Sequence, residues 1–243
     1  MGRLLCLCIG LGGVVLVFGS RFVPAVRWSG VAAVSTQPPL APRLESIVLE
    51  PGAVIVCEGD SLTQGTDRIE SLATLFRGHH ADTPYPAILA TLLGKAVTVV
   101  NRGKGGDTAR DGLARWGSAP SGDLAIIMYG GNDARIRTGG IGATPLVDFR
   151  TVIGELVQRR QRGGATVLVM ASPQVGTVAA EQAIAPYRIA AREAALEHGA
   201  LFIDTRTFLQ RLPVPLKLDG VHLRPVASRA IGDGLAALIQ VRE

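Results

Sequence analysis

Ala53-Val54-Ile55-Val56-Cys57-Glu58-Gly59-Asp60-Ser61 is a short apolar run that stops on a turn. Five apolar residues, three of them β-branched, followed by Gly-Asp, read as a strand buried on both faces. Four more runs repeat the pattern at Ala96–Val100, Leu124–Tyr129, Ala165–Met170 and Ala200–Ile203. Between them, apolar residues recur at helical spacing over 84–93, 107–116, 145–162, 180–198 and 225–240. Pro145 suits the first helical position and Gly163-Gly164 a helix stop. Strand and helix in alternation predict right-handed crossovers and one α/β domain. The expected architecture is a three-layer α/β/α sandwich around about five parallel strands.

Such a sheet carries its reactive loops at the carboxyl ends of its strands. After the first run stands Gly59-Asp60-Ser61-Leu62-Thr63. After the second stands Asn101-Arg102-Gly103-Lys104-Gly105-Gly106-Asp107-Thr108, and after the third Gly130-Gly131-Asn132-Asp133. Asp219-Gly220-Val221-His222 precedes the last helix. Each segment alone is ordinary turn chemistry. Together they bring a hydroxyl, glycine-flanked backbone N–H groups, a side-chain amide, and an imidazole with a carboxylate. Those are the parts of acyl transfer through a serine.

These four segments, in this order, resemble the blocks of the SGNH/GDSL hydrolases. The resemblance runs from about residue 53 to 240 and implies a flavodoxin-like topology. It implies Ser61 as nucleophile, with the N–H groups of Ser61 and Gly106 and the amide of Asn132 forming an oxyanion hole. The second block is closest to that of bacterial thioesterase/lysophospholipase members. His222 has a carboxylate, Asp219, three residues before it. Asp219 would fix the imidazole tautomer, and His222 would take the Ser61 proton. The expected function is hydrolysis of carboxylic esters or thioesters through an acyl-serine, on lysophospholipid, acyl-thioester or acetylated-carbohydrate substrates. An acyltransferase to a sugar hydroxyl keeps the same residues and is the alternative. A binding module without catalysis fits less well, because all four blocks are intact. No metal or organic cofactor is needed for this chemistry.

Other readings are excluded by pattern. Gly103-Lys104-Gly105-Gly106 lacks the Ser/Thr that follows Gly-Lys in a phosphate-binding loop. No serine is flanked as Gly-x-Ser-x-Gly, so the usual α/β-hydrolase elbow is absent. The 243 residues are 47% hydrophobic and 19% charged, enough for one sizeable core. Three of the five net positive charges come from Arg3, Arg21 and Arg27, and the other basic residues are scattered. This distribution argues against a nucleic-acid partner.

Outward from the domain, the chain opens on Arg3 and an uncharged, mostly apolar run from Leu4 to Gly19. Residues 1–33 read as a signal peptide or N-terminal membrane anchor, so export is expected: periplasmic, extracellular, or anchored facing outward. Residues 34–44 carry Pro38, Pro39 and Pro42 and read as a linker. The catalytic domain is expected over 45–243. Cys57 reads as a buried inert thiol, His198 as a helix C-terminal residue, and Trp116 as packing. Asp60 and Asp133 read as loop braces that accept backbone N–H groups. His79-His80 read as a solvated pair. Residues 66–83 form an insertion after the nucleophile loop. In the segment 134–144, Arg135 and Arg137 are candidates to meet an anionic group on the substrate.

Overall fold

The computed structural model describes residues 9–10, 13–14, 46–65, 83–135, 144–173, 178–212 and 221–242. The chain divides into two units, Met1–Pro39 and Leu40–Glu243. In the first, β1 (Ile9–Gly10) and β2 (Gly13–Val14) pair antiparallel. No described helix is long and apolar enough to cross a membrane.

The second unit runs β3 (Ile47–Leu49), β4 (Val54–Gly59), α1 (Ser61–Gln64), α2 (Tyr85–Leu93), β5 (Thr98–Gly103), α3 (Ala109–Trp116) and β6 (Leu124–Met128). It continues with α4 (Leu146–Arg162), β7 (Thr166–Ala171), α5 (Val178–Glu197), β8 (Leu201–Asp204), α6 (Arg206–Leu209), α7 (Pro225–Leu238) and β9 (Ile239–Val241). Five strands form one parallel sheet in the order β5-β4-β6-β7-β8. Counted along the chain, that is the flavodoxin-like order 2-1-3-4-5.

Each expected strand is present, with its ends displaced by at most three residues. The apolar runs form central strands because both faces of the sheet are covered. β6 shows this directly. Leu124, Ile126 and Met128 enter one apolar cluster with Tyr85, Leu89 and Ile231. The alternate residues Ala125 and Ile127 enter a second cluster with Phe149, Ile153 and Val167. Thus α2 and α7 cover one face, and α3, α4 and α5 the other. α3 starts on a capping box: Asp111 N donates to Thr108 Oγ1 at 3.3 Å and Thr108 N donates to Asp111 Oδ2 at 2.9 Å. α4 begins at Leu146, so Pro145 is its cap rather than its first residue.

The last helix is shorter than its periodicity predicts. It ends at Leu238, and β9 pairs in parallel with β3, Ile47 opposite Ile239 and Leu49 opposite Val241. Ile47 and Ile239 are both buried in the first cluster. A three-residue strand leaves no periodic signature that could separate it from a helix end. The pairing ties the last described strand to the strand that precedes β4.

Close packing at the carboxyl edge explains two glycines. A Cβ on Gly59, which ends β4, would lie 2.1 Å from Thr63 Oγ1 and 2.6 Å from the Met128 carbonyl oxygen. A Cβ on Gly103, which ends β5, would lie 2.0 Å from the backbone nitrogen of Gln64. Only glycine lets α1 sit this close to both strand ends. Gly103→Ala is expected to destabilise the fold by roughly 1–3 kcal/mol, read as a lower Tm, because a backbone atom must move. An unchanged Tm and unchanged activity would contradict this account.

Candidate active site

The loops after β4, β5 and β6 meet at one edge of the sheet, and each is held by its own polar residue. Asp60, buried, caps α1: its Oδ1 accepts from Leu62 N at 2.8 Å. Ser61 is the first residue of α1 and half-buried. Thr63 Oγ1 and the fully buried Tyr85 hydroxyl lie 3.2 Å apart and fasten α1 to α2. Burial pushes the Tyr85 hydroxyl well above its ordinary range, so it remains neutral.

The β5 loop is stitched to α1 by side chains that mimic sheet bonding. Asn101 Nδ2 donates to the Thr63 carbonyl at 2.9 Å, and Asn101 Oδ1 accepts from Gly103 N at 2.8 Å. Lys104 N donates to the Gly59 carbonyl at 2.9 Å, and Gly105 N to Gln64 Oε1 at 2.6 Å. Gly106 follows with φ +84°, a left-handed conformation that glycine adopts without strain. Asp107 is gripped by Arg115, Nε to Oδ2 and Nη2 to Oδ1, both at 2.9 Å.

Asn132 in the β6 loop donates from Nδ2 to the Asp107 carbonyl at 2.9 Å. That bond uses one of its two amide hydrogens and fixes the side chain beside the Gly103–Asp107 loop. Asp133 is fully buried, and its Oδ1 accepts from Ala109 N, the first residue of α3, at 3.0 Å. Burial pushes the Asp133 carboxyl up, while hydrogen bonds from Thr144 and from the Ala109 N–H pull it back. Asp60 and Asp133 therefore brace loops.

From the opposite end of the chain, His222 Nε2 comes within 3.2 Å of Ser61 Oγ. Leu223, buried in the first cluster, anchors the backbone next to it, and Arg224 and Pro225 start α7. The hydroxyl and imidazole are 161 residues apart in sequence and in hydrogen-bond contact in space. Ser61, Gly106, Asn132 and His222 thus all stand on the loops that meet at this edge. Asp219, His79, His80 and Arg137 lie outside the described residues.

The sequence pattern of the GDSL-like Lipase/Acylhydrolase family matches residues 57–230. The chain belongs to that family. It is an ester-hydrolysing enzyme by membership. The fold is shared with solved structures of low identity. A catalytic mutant of Axe2, an acetylxylan esterase from Geobacillus stearothermophilus, superposes with a TM-score of 0.65 at 22% identity, covering 80% of this chain and 99% of its own. LAE5, an alpha/beta hydrolase enzyme from the metagenome of Lake Arreo, Spain, gives 0.65 at 22%, covering 78% and 96%. A comparison with curated proteins yields no match.

In this GDSL-family chain, several residues that hold the site were not legible as functional. Glu58, one position before Gly59, is buried against Arg160 at 2.7 Å and Arg102 at 3.3 Å. Arg102 also lies over the Trp116 ring, 5.7 Å from its centroid, so Trp116 packs against a cation. Arg188 Nε donates to the Ser172 carbonyl at 2.7 Å and holds the loop after β7. Cys57 is fully buried, and burial pushes its thiol far above the usual range, which makes it inert. His198 closes α5, with Nδ1 3.0 Å from Gln158 Nε2.

Proposed function

We propose that this enzyme cleaves carboxylic esters through an acyl intermediate on Ser61. The observation that carries the reading is the 3.2 Å contact between Ser61 Oγ and His222 Nε2. In the proposed cycle Nε2 accepts the hydroxyl proton as Oγ attacks the ester carbonyl. The tetrahedral oxyanion receives hydrogen bonds from the N–H groups of Ser61 and Gly106 and from the second amide hydrogen of Asn132. His222 then protonates the departing alcohol or thiol. Water, deprotonated by the same imidazole, releases the acid and restores the serine. The family resemblance assigns Asp219 to the other ring nitrogen, where a carboxylate keeps Nε2 unprotonated before attack.

Family relatives support the assignment. Catalytic mutants of Axe2 replace a serine, or an aspartate and a histidine spaced three apart, by alanine. The same spacing separates Asp219 from His222 here. The proposed substrates are acyl esters and thioesters such as lysophospholipids, or acetylated carbohydrates.

A panel of p-nitrophenyl esters, acyl thioesters, lysophospholipids and acetylated xylo-oligosaccharides tests the reading. Hydrolysis of at least one class is expected. Asn132→Ala is expected to lower kcat by about 10²–10³, or roughly 3–4 kcal/mol of transition-state stabilisation, with little change in KM. An Asn132→Ala enzyme that changes KM alone would remove this residue from the oxyanion site.

A further inference from the structure

Solvent-exposed aliphatic side chains in this protein gather at the edge where the site opens. Leu146 and Val147 start α4, and Val178 starts α5; they are 42%, 72% and 76% exposed. Val226 is in the first turn of α7, and Val221 immediately precedes His222; both are exposed. In a parallel α/β sheet α4 and α5 begin where the preceding strands end, so they start at the carboxyl edge. α7 starts there too, since His222, three residues before it, bonds Ser61. The apolar residues therefore come from both helical layers and flank the Ser61–His222 pair. At the opposite edge Val48 on β3 and Leu92 and Leu196, near the C-terminal ends of α2 and α5, are exposed, and Ile189 is exposed within α5; five of the nine exposed large aliphatics among the described residues thus lie at the carboxyl edge. Isolated exposed aliphatics are ordinary on a protein surface. Five along one functional edge offer methyl groups to a partner that approaches it.

The charge of this edge selects the partner. Lys104, after β5, and Arg135, after β6, are exposed and form no ion pair among the described residues. The described carboxylates near this edge are engaged: Asp107 by Arg115, Asp148 by Arg110, Asp204 by Arg206, Glu181 by Arg188, and Asp60 and Asp133 by backbone N–H groups. Among the described residues the edge thus combines aliphatic tips with two cations that form no ion pair. That is the chemistry of a surface that meets anionic headgroups and pushes methyls among acyl chains. A polysaccharide presents flat sugar faces that stack on exposed aromatic rings, and none of the described exposed large apolar residues is aromatic. A second copy seated here would close the mouth that a substrate must enter.

We propose that the carboxyl edge around Ser61 is a docking face for an anionic phospholipid bilayer, held by Val147, Val178 and their neighbours with Lys104 and Arg135 at the headgroups. Docking of this kind orients the site towards esters that are themselves part of the membrane. It does not depend on the chemistry at Ser61, so the two ideas fail separately.

Residues 40–243 contain both apolar clusters and every strand of the main sheet. This unit leaves out the apolar residues Leu4–Gly19, so any binding comes from the domain itself, and it is the form to test by flotation with vesicles. Binding to mixed phosphatidylglycerol/phosphatidylcholine vesicles is expected, weakening several-fold between roughly 50 and 500 mM NaCl. The pair Val147→Ser and Val178→Ser is expected to lower the partition coefficient by about tenfold, with hydrolysis of a soluble short-chain ester unchanged. Ser61→Ala is expected to bind as wild type does. No binding, equal binding to pure phosphatidylcholine, or equal binding by the double variant overturns the proposal. A dimer that the same double substitution dissolves assigns the face to a second copy and overturns it as well.

Discussion

Ser61→Ala is expected to lower kcat on any hydrolysed ester by about 10⁴–10⁶, and His222→Ala by a similar factor. The double variant is expected to be no slower than either single one. The reason is the 3.2 Å contact: the hydroxyl is a poor nucleophile without the imidazole, and the imidazole has no proton to accept without the hydroxyl. Two groups that act as one unit cannot lose their contribution twice. The fold should not notice the change. α1 is held by Asp60 at its start, by Thr63 against Tyr85, and by Asn101 from β5, and none of these contacts involves the Ser61 hydroxyl. An unchanged Tm with turnover abolished is therefore the expected pair of measurements. Multiplicative losses in the double variant would show that the two side chains act in separate steps, and full turnover by Ser61→Ala would remove the nucleophile.

What the sequence disclosed follows from which interactions are local. The central strands β4, β6 and β7 were legible because burial on both faces forces an unbroken apolar run, as in Leu124–Met128. The residues proposed to react stood out because glycines and short polar groups at strand ends have few structural reasons to occur in that order. The supports were not. Asn101 reads as a turn residue, and only the fold shows that it replaces a strand partner for α1. The grip of Arg115 on Asp107, and the bond from Asn132 to the Asp107 carbonyl, depend on how loops from β5 and β6 meet. The pairing of β3 with β9 joins residues almost two hundred apart through three-residue strands, which carry no period. Glu58 and Arg160 did leave a trace. Glu58 is the one charged residue in an otherwise apolar strand. Arg160 stands where the pattern of Phe149, Ile153, Leu156 and Val157 demands a buried residue. A lone charge at a core position asks for a partner of opposite sign, and here each supplies the other.

That pair predicts the largest stability effect. Arg160 is 1% exposed, and among the described residues its guanidinium otherwise hydrogen-bonds only the carbonyls of Trp116 and Ala119. Glu58→Ala leaves its guanidinium buried without a counter-charge and is expected to cost about 3–5 kcal/mol in denaturant unfolding. Glu58→Gln should cost less, because an amide oxygen still accepts from Arg160. The electrostatics give this comparison a sign. Burial raises the Glu58 carboxyl above its ordinary range, outweighing the pull of Arg160 and Arg102. Its second oxygen and Arg160 Nε have no hydrogen-bond partner, so the pair is incompletely satisfied. A group raised in the folded state contributes stability that is complete below its unfolded value and is lost as pH rises through the folded one. Glu58→Gln, which mimics the protonated form, should therefore show a flatter decline of stability above the ordinary glutamate range than wild type. Replacing both residues together, Glu58→Leu with Arg160→Met, should recover most of the loss seen in Glu58→Ala, since well-packed apolar groups serve a buried site as well as an ion pair does. If Glu58→Ala unfolds at the wild-type denaturant midpoint, the guanidinium has found solvent, and the buried-pair account of this layer is wrong.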